Sequence, residues 1–509
     1  MKVKPRFCAL PLLVGLLCGC GSGDKLTPTP PHPSQTQLSI SPPAANVAAG
    51  GSRSFSASME GNANPSVTWA VNGVAGGNSS VGTISAAGTY VAPLSASRVV
   101  ISAALQTDAN TVGKANVSVL APHRFGVRPT ATLAEFFDRS SGNPFTPRSN
   151  NYIRLATLID PNGIAVFGHS TFSVDLYDSA RAESALAQMQ ASGYNVVTVT
   201  LQGCCQNTLG DPAGGLSPAY LANVVDFLSR AKADGIAVVI ASSWLPAFGG
   251  YNEMLGACYP QFDDINLTNL SACGVSTVAK FYQDFVQGLI NAGAAIDAIF
   301  AYEIWDEYYY NATAAPLTST SGTVTAANGL TYDMGSTASH QQMMDDGLMY
   351  FGNQVRAAIL ALDPTALVTM SFFQPEGPNP TRLGDPRIIS VYPAVANSTL
   401  DYIDLHAYPV IANLTLHQYV QNFGFIGYQQ QKPIVMGEMG AFTFAYASLS
   451  DAAAGLRDWQ IQSCNYNFKG WALWTWDTDE QAELWNAMSQ SGVIDQALAP
   501  AVRPDPCSP

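Results

Sequence analysis

The segment AYEIWDEYYY, residues 301 to 310, gathers three carboxylates and five aromatic side chains in ten positions of a chain of which only 12% is charged. If it is a strand, alternate side chains share a face, so Ala301, Glu303, Trp305 and Glu307 point the same way. Three further apolar runs end in residues of similar character: DYIDLHAY (401–408) in His406 and Tyr408, PIVMGEM (433–439) in Glu438, and GWALWTW (470–476) in Trp474 and Trp476. Two glutamates facing each other among such rings suit displacement at a sugar carbon, in which one acid protonates the departing oxygen and the other attacks. A lone Asp-Glu pair after a strand would be an ordinary solvated turn. The reading therefore depends on whether the remaining elements bring these strand ends together.

From about Phe125 onward, apolar strands alternate with longer helical runs, the pattern of a parallel sheet wrapped by helices. Eight candidate strands stand at 151–158, 194–201, 236–244, 298–305, 366–373, 401–408, 433–439 and 470–476. Between them lie stretches such as SPAYLANVVDFLSRAKADG and GVSTVAKFYQDFVQGLINAG, with apolar residues three and four apart. No Gly-x-Gly-x-x-Gly turn follows the first strand, so a (β/α)₈ barrel with insertions over 125–509 fits better than an open doubly wound sheet. In such a barrel the C-terminal strand ends share one mouth, which unites Asp306, Glu307, His406, Tyr408, Glu438, Trp474 and Trp476. Glu303 lies deeper on its strand and is expected to pair with a cation such as Arg154, because an unpaired buried charge is costly.

These motifs resemble a known set. YEIWDE is similar to the W-E-L-W-N-E-P of the retaining β-glycosidase clan on (β/α)₈ barrels, best matched by glycoside hydrolase family 5, the cellulase and mannanase family. KPIVMGEMG resembles that family's seventh strand, DYIDLHAYP its sixth, NPFTPRSNNYIRL the start of its barrel and GWALWTWD its eighth strand, and the match runs from about residue 125 to 490. The resemblance implies Glu307 as general acid/base, Glu438 as nucleophile, Tyr408 bonded to the nucleophile, and His406 orienting the site. Trp474 would be the floor beneath the cleaved sugar, with Trp476 the weaker candidate. Asp306 stands where the family's sugar-binding Asn would be, Thr198 where its second-strand Arg would be, and Ser242, Ser243 and Trp244 where its third strand often ends in His. The implied activity is cofactor-free hydrolysis of a β-linked glucan or mannan. The alternative is a surface protein that grips polysaccharide without turning it over.

The other features frame that domain. Lys2, Lys4 and Arg6 precede CALPLLVGLL, an apolar stretch too short to span a bilayer, and the following LCGC resembles a bacterial lipobox with Cys20 as the lipidated residue. Residues 1–20 then form an export leader and 21–36 a Pro-, Thr- and Ser-rich tether, giving a protein anchored by lipid to the outer membrane or cell surface. Residues 37–120 read as a β-sandwich, and GTISAAGTYVAP with Trp69 resembles bacterial immunoglobulin-like modules. The net charge of −14 argues against nucleic acid and favours a neutral ligand. No Cys/His grouping has zinc spacing, and no metal is expected. A monomer is expected.

Six cysteines follow the leader, and an even number in an exported chain suggests disulfides. Cys258 with Cys273 would close a loop after the third strand, and Cys464 with Cys507 would tie the C-terminal tail to the last helix. Cys204 and Cys205 would then pair with each other or stay free. The long insertion APLTSTSGTVTAANGLTY forms either a sugar-binding wall or a unit packed on itself through Tyr308, Tyr309 and Tyr310. His169, His340 and His417 fall outside the recognised strand ends and read as ordinary surface or core residues.

Overall fold

The computed structural model describes residues 37–131, 133–373, 387–388, 392–409, 415–424, 432–504 and 506–507. Cys20, the leader and the tether lie outside the described residues. Among the described residues no helix is long and apolar enough to cross a membrane.

An all-β domain comes first. Its longest strands, Ser97–Leu105 and Val112–Leu120, pair antiparallel, and in the second of them buried residues alternate with more exposed ones, as in a half-buried strand. One face of this five-stranded sheet packs against a four-stranded sheet, enclosing Trp69, Val71, Tyr90, Ile101 and Val117. Trp69 is thus a core residue between sheets.

The second domain is a parallel barrel. Its strands are β1 (Arg148–Asn151), β2 (Val196–Leu201), β3 (Ala237–Ser242), β4 (Ile299–Glu303), β5 (two pieces, Val368–Thr369 and Ser371–Phe373), β6 (Ile403–His406), β7 (Ile434–Met439) and β8 (Phe468–Leu473). The first piece of β5 pairs with β4 and the second with β6, and β8 pairs with β1, so the sheet closes on itself. Helices such as Pro218–Ala233 and Ala272–Ala292 press their apolar faces on the outside. A three-stranded sheet, Phe125–Pro129, Ala134–Asp138 and Pro144–Phe145, seats Phe125 and Phe136 against Phe300 and Tyr402 inside the barrel. The (β/α)₈ barrel and the N-terminal all-β domain expected from the sequence are both present.

The first strand differs from its expected position at 151–158. β1 is the polar RSNN run just before it, whose buried side chains find backbone partners. The Asn151 amide donates to the carbonyls of Gly437 (3.2 Å) and Leu473 (3.3 Å), and the Arg148 guanidinium to those of Leu498, Arg503 and Pro504. A buried polar group so satisfied costs little. The apolar LATLI segment instead forms an antiparallel hairpin with Ala165–His169. Its turn, Asp160-Pro-Asn-Gly, is fixed by the Asp160 carboxylate accepting from the Asn162 and Ile164 amides, with Gly163 at φ +80°.

Disulfides join Cys258 to Cys273 and Cys464 to Cys507, and Cys204 bonds its neighbour Cys205. Closing a 15-residue loop constrains the unfolded chain by about 3 kcal/mol. In the long insertion Tyr308 and Tyr310 are fully buried against each other and against Phe351, and the Tyr310 hydroxyl donates to the Met344 carbonyl at 2.6 Å. These two tyrosines pack the insertion onto helix Thr337–Leu360 and face no sugar.

Candidate active site

Glu307, His406, Tyr408, Glu438 and Trp474 all stand at or just beyond the C-terminal ends of barrel strands. Beyond β4 the chain is pinned to both neighbouring strands: the Asp306 amide donates to the Ser242 carbonyl and the Tyr308 amide to that of Ser371. Between them Glu307 adopts φ +54°, and its amide donates to the Ser371 hydroxyl at 2.7 Å. This turn aims the Glu307 carboxylate across the mouth rather than down the barrel. From β7, Glu438 projects into the same space and accepts a 2.5 Å hydrogen bond from the Tyr408 hydroxyl.

His406, at the end of β6, joins the two acids. Its Nδ1 lies 3.2 Å from Glu307 Oε1 and 3.3 Å from Glu438 Oε2. Burial by itself would lower the imidazole pKa, but the neighbouring acids, Glu438 first among them, outweigh it and hold the ring above its ordinary value. The ring nitrogen and one oxygen from each glutamate all lie within 4.8 Å of one another. The family's second-strand arginine is absent here, and Thr198 is buried inside the barrel. The basic side chain beside the two glutamates is His406.

Asp306 accepts from the Ser243 hydroxyl at 3.0 Å and the Ser371 hydroxyl at 3.3 Å, which fixes its carboxylate at the edge of the cleft. Ser243, from the stretch that lacks the family's histidine, therefore has a place in the site. Two overlapping sets of donor atoms, Glu303 with Asp306 and His406, and Glu307 with His406 and Glu438, are compact enough to hold a cation. The second set contains the two glutamates that meet at the barrel mouth.

Below lies a pair of buried acids. Glu303 does not pair with Arg154, contrary to the expectation. Arg154 bonds Asp477 at 2.7 Å and approaches Glu480 at 3.5 Å, outside the strand ends. The Glu303 carboxyl is instead biased toward its protonated form. Burial, then the charges of Asp404 and Asp306, push its pKa far above the carboxylate range. Burial likewise pushes Asp404 up to about 7, against the opposing pull of His406 and of the Gly437 amide, which donates to it at 2.7 Å. A side chain at Gly437 would collide with the Asp404 carboxylate, so the glycine before Glu438 is required by this close approach.

The cleft above these acids has a volume of about 370 Å³. Trp474 lines it, its indole N–H donating to Gln481 at 2.8 Å. Trp476 does not: β8 stops at Leu473, the alternation ends there, and Trp476 turns into the core, edge-on to Tyr194. His169, read from the sequence as an ordinary histidine, belongs to the site. It ends the second strand of the 155–169 hairpin, lines the cleft and lies 5.9 Å from the Trp474 ring. Burial lowers its pKa, with Asp306 only partly opposing, so the ring is neutral. Phe167 from the same hairpin and Trp244 after β3 also line the cleft, each with half or more of its surface exposed. The turn sequence DPNG between two apolar runs was the available signal for this hairpin.

No family model matches the chain, and no curated protein matches it in sequence. Among solved structures it is similar to an exo-β-1,4-mannosidase from Opitutaceae bacterium strain TAV5, at 13% identity and a TM-score of 0.47, over 73% of this chain and 61% of that one. It is also similar to a β-mannanase from the blue mussel Mytilus edulis (13%, 0.45, 74% of this chain and 97% of that one). An endo-β-1,4-mannanase from Thermotoga petrophila gives 14% and 0.42 over 70% and 76%. At these identities no residue's role carries across from one chain to another.

Proposed function

We propose that this protein is a retaining β-glycoside hydrolase acting on a neutral β-linked glucan or mannan. The observation that carries the proposal is the pair Glu307 and Glu438, held by His406 with carboxylate oxygens within 4.8 Å at the barrel mouth. Glu438 attacks the anomeric carbon while Glu307 gives its proton to the leaving oxygen, forming a glycosyl ester on Glu438. Glu307, now a carboxylate, takes a proton from an entering water, which displaces Glu438 and restores the starting configuration. The Tyr408 hydroxyl fixes the attacking carboxylate and keeps its second oxygen oriented as charge leaves it. Trp474 offers a ring face to the sugar, and Asp306, bonded to two serines, can accept from a sugar hydroxyl. Asp306 and Glu438 both line the cleft, which disfavours an anionic sugar.

The test is sugar release from a panel of β-glucans, mannans and aryl β-glycosides, with NMR identifying the anomer formed first. A β-anomer as first product is expected. An α-anomer would reject double displacement, and retention of polymer in a pull-down without any release would favour a binding protein.

We also propose that Cys20 carries a lipid anchor, on the strength of the LCGC end of the leader. Cys20→Ser is expected to move the protein from the membrane fraction to the soluble one. An unchanged distribution would reject the anchor.

A further inference from the structure

The mechanism above leaves one wall of the cleft without a task. β2 lies four strands from β6 around the barrel, so its end faces the end that bears His406 and Tyr408. At that end stands Gln202, which lines the cleft. Its amide orientation is dictated by its surroundings. The side-chain oxygen accepts from the backbone N–H of Gly203 at 2.9 Å and of Cys204 at 3.0 Å. Two donors converging on one atom require an oxygen there, so the other end of the amide is the NH₂ group.

The loop that supplies those donors is itself fixed. Cys204 is bonded to Cys205, the Thr208 hydroxyl donates to the Cys205 carbonyl at 2.6 Å, and the Leu209 amide returns to the Gln202 carbonyl. The Gln202 backbone amide donates to the Tyr220 hydroxyl at 2.9 Å. Every polar group of Gln202 is thereby engaged except the NH₂ group, which has no acceptor among the described residues. That group sits beside Gly168 of the 155–169 hairpin, where a side chain's first carbon would come within 3.1 Å of it. Glycine at 168 leaves the space in front of the two N–H donors open to the cleft.

We propose that Gln202 is a specificity-determining residue, whose two N–H donors bind a hydroxyl or ether oxygen of the glycan on the wall opposite Tyr408. The inference rests on the glycosidase reading and adds to it a second polar contact, remote from the acids. A group that binds the ground state and the transition state alike moves KM and leaves kcat unchanged.

Gln202→Glu separates recognition from bracing. A carboxylate still accepts from Gly203 and Cys204, so the loop keeps its shape, but an acceptor replaces the donors. On the best substrate of the panel the variant is expected to raise KM about tenfold, the scale of one hydrogen bond, with kcat within about twofold and an unchanged melting temperature. Gln202→Ala is expected to raise KM at least as much and to lower the melting temperature as well. Wild-type KM in Gln202→Glu, with a loss confined to Gln202→Ala, would make the residue a loop brace and overturn the inference while leaving the glycosidase reading intact. Absence of turnover by the wild-type protein on every substrate would overturn both.

Discussion

Replacing Glu438 by alanine is expected to abolish turnover of every glycoside, whereas replacing Glu307 should spare substrates with good leaving groups. The difference follows from what each acid does. Without Glu438 no bond to the anomeric carbon forms, and the loss should be on the order of 10⁵-fold or more on aryl glycosides and polymers alike. Without Glu307 the attack still proceeds when the leaving group departs unprotonated, while natural substrates lose roughly 10²- to 10⁴-fold, the usual worth of a positioned proton donor. The glycosyl-enzyme then lacks a base to activate water. Azide, which needs no base, should restore turnover in Glu307→Ala and give a β-glycosyl azide, measurable by chromatography of the products. Azide rescue in Glu303→Ala instead, with near-normal Glu307→Ala, would transfer the proton donor to the deeper acid.

A second large effect concerns stability against pH. Burial raises the pKa of both Glu303 and Asp404 in the folded protein, that of Asp404 to about 7, whereas in the unfolded chain both ionise near pH 4. Folding therefore takes up protons in this interval. Their contribution is complete below about pH 4 and is lost as pH rises, through about 7 for Asp404. Asp404→Asn keeps an oxygen for the Gly437 amide and removes one of the titrations. Urea midpoints of the wild-type protein should fall more steeply between pH 4.5 and 8 than those of the variant. Converted to free energy, the excess slope should be up to about 1.4 kcal/mol per pH unit where Asp404 alone changes its proton, and titrations distant from Asp404 cancel in the difference. Parallel curves would mean that Asp404 is already ionised in the folded state.

What the sequence disclosed followed from periodicity and from barrel geometry. Once alternating runs and helices are assigned, the residues at strand ends must meet, and Glu307, His406, Tyr408, Glu438 and Trp474 do so. Where alternation fails, so did the reading. β1 was missed because its side chains are polar and find partners in carbonyls from distant parts of the chain. Trp476 was misplaced because it lies past the end of β8, where parity no longer assigns a face. The pairing of Glu303 with Arg154 failed for a different reason: a buried acid can shed its charge by keeping a proton, and no residue type in the sequence announces that. Gln202 carried no signal at all, since its orientation comes from two backbone amides of a loop closed by adjacent cysteines.

The left-handed backbone at Glu307 has a bearing on how such a site persists. A side-chain-bearing residue at φ +54° costs roughly 1 kcal/mol that glycine would not incur. The turn that aims the Glu307 carboxylate thus weakens the fold by a little at that very position, and glycine would recover that stability while erasing the acid. Mutation without selection for turnover would drift toward glycine or asparagine here, because most of what a stable barrel needs is indifferent to this carboxylate. In the role proposed for Glu307, that local cost is offset by where the turn points the carboxylate.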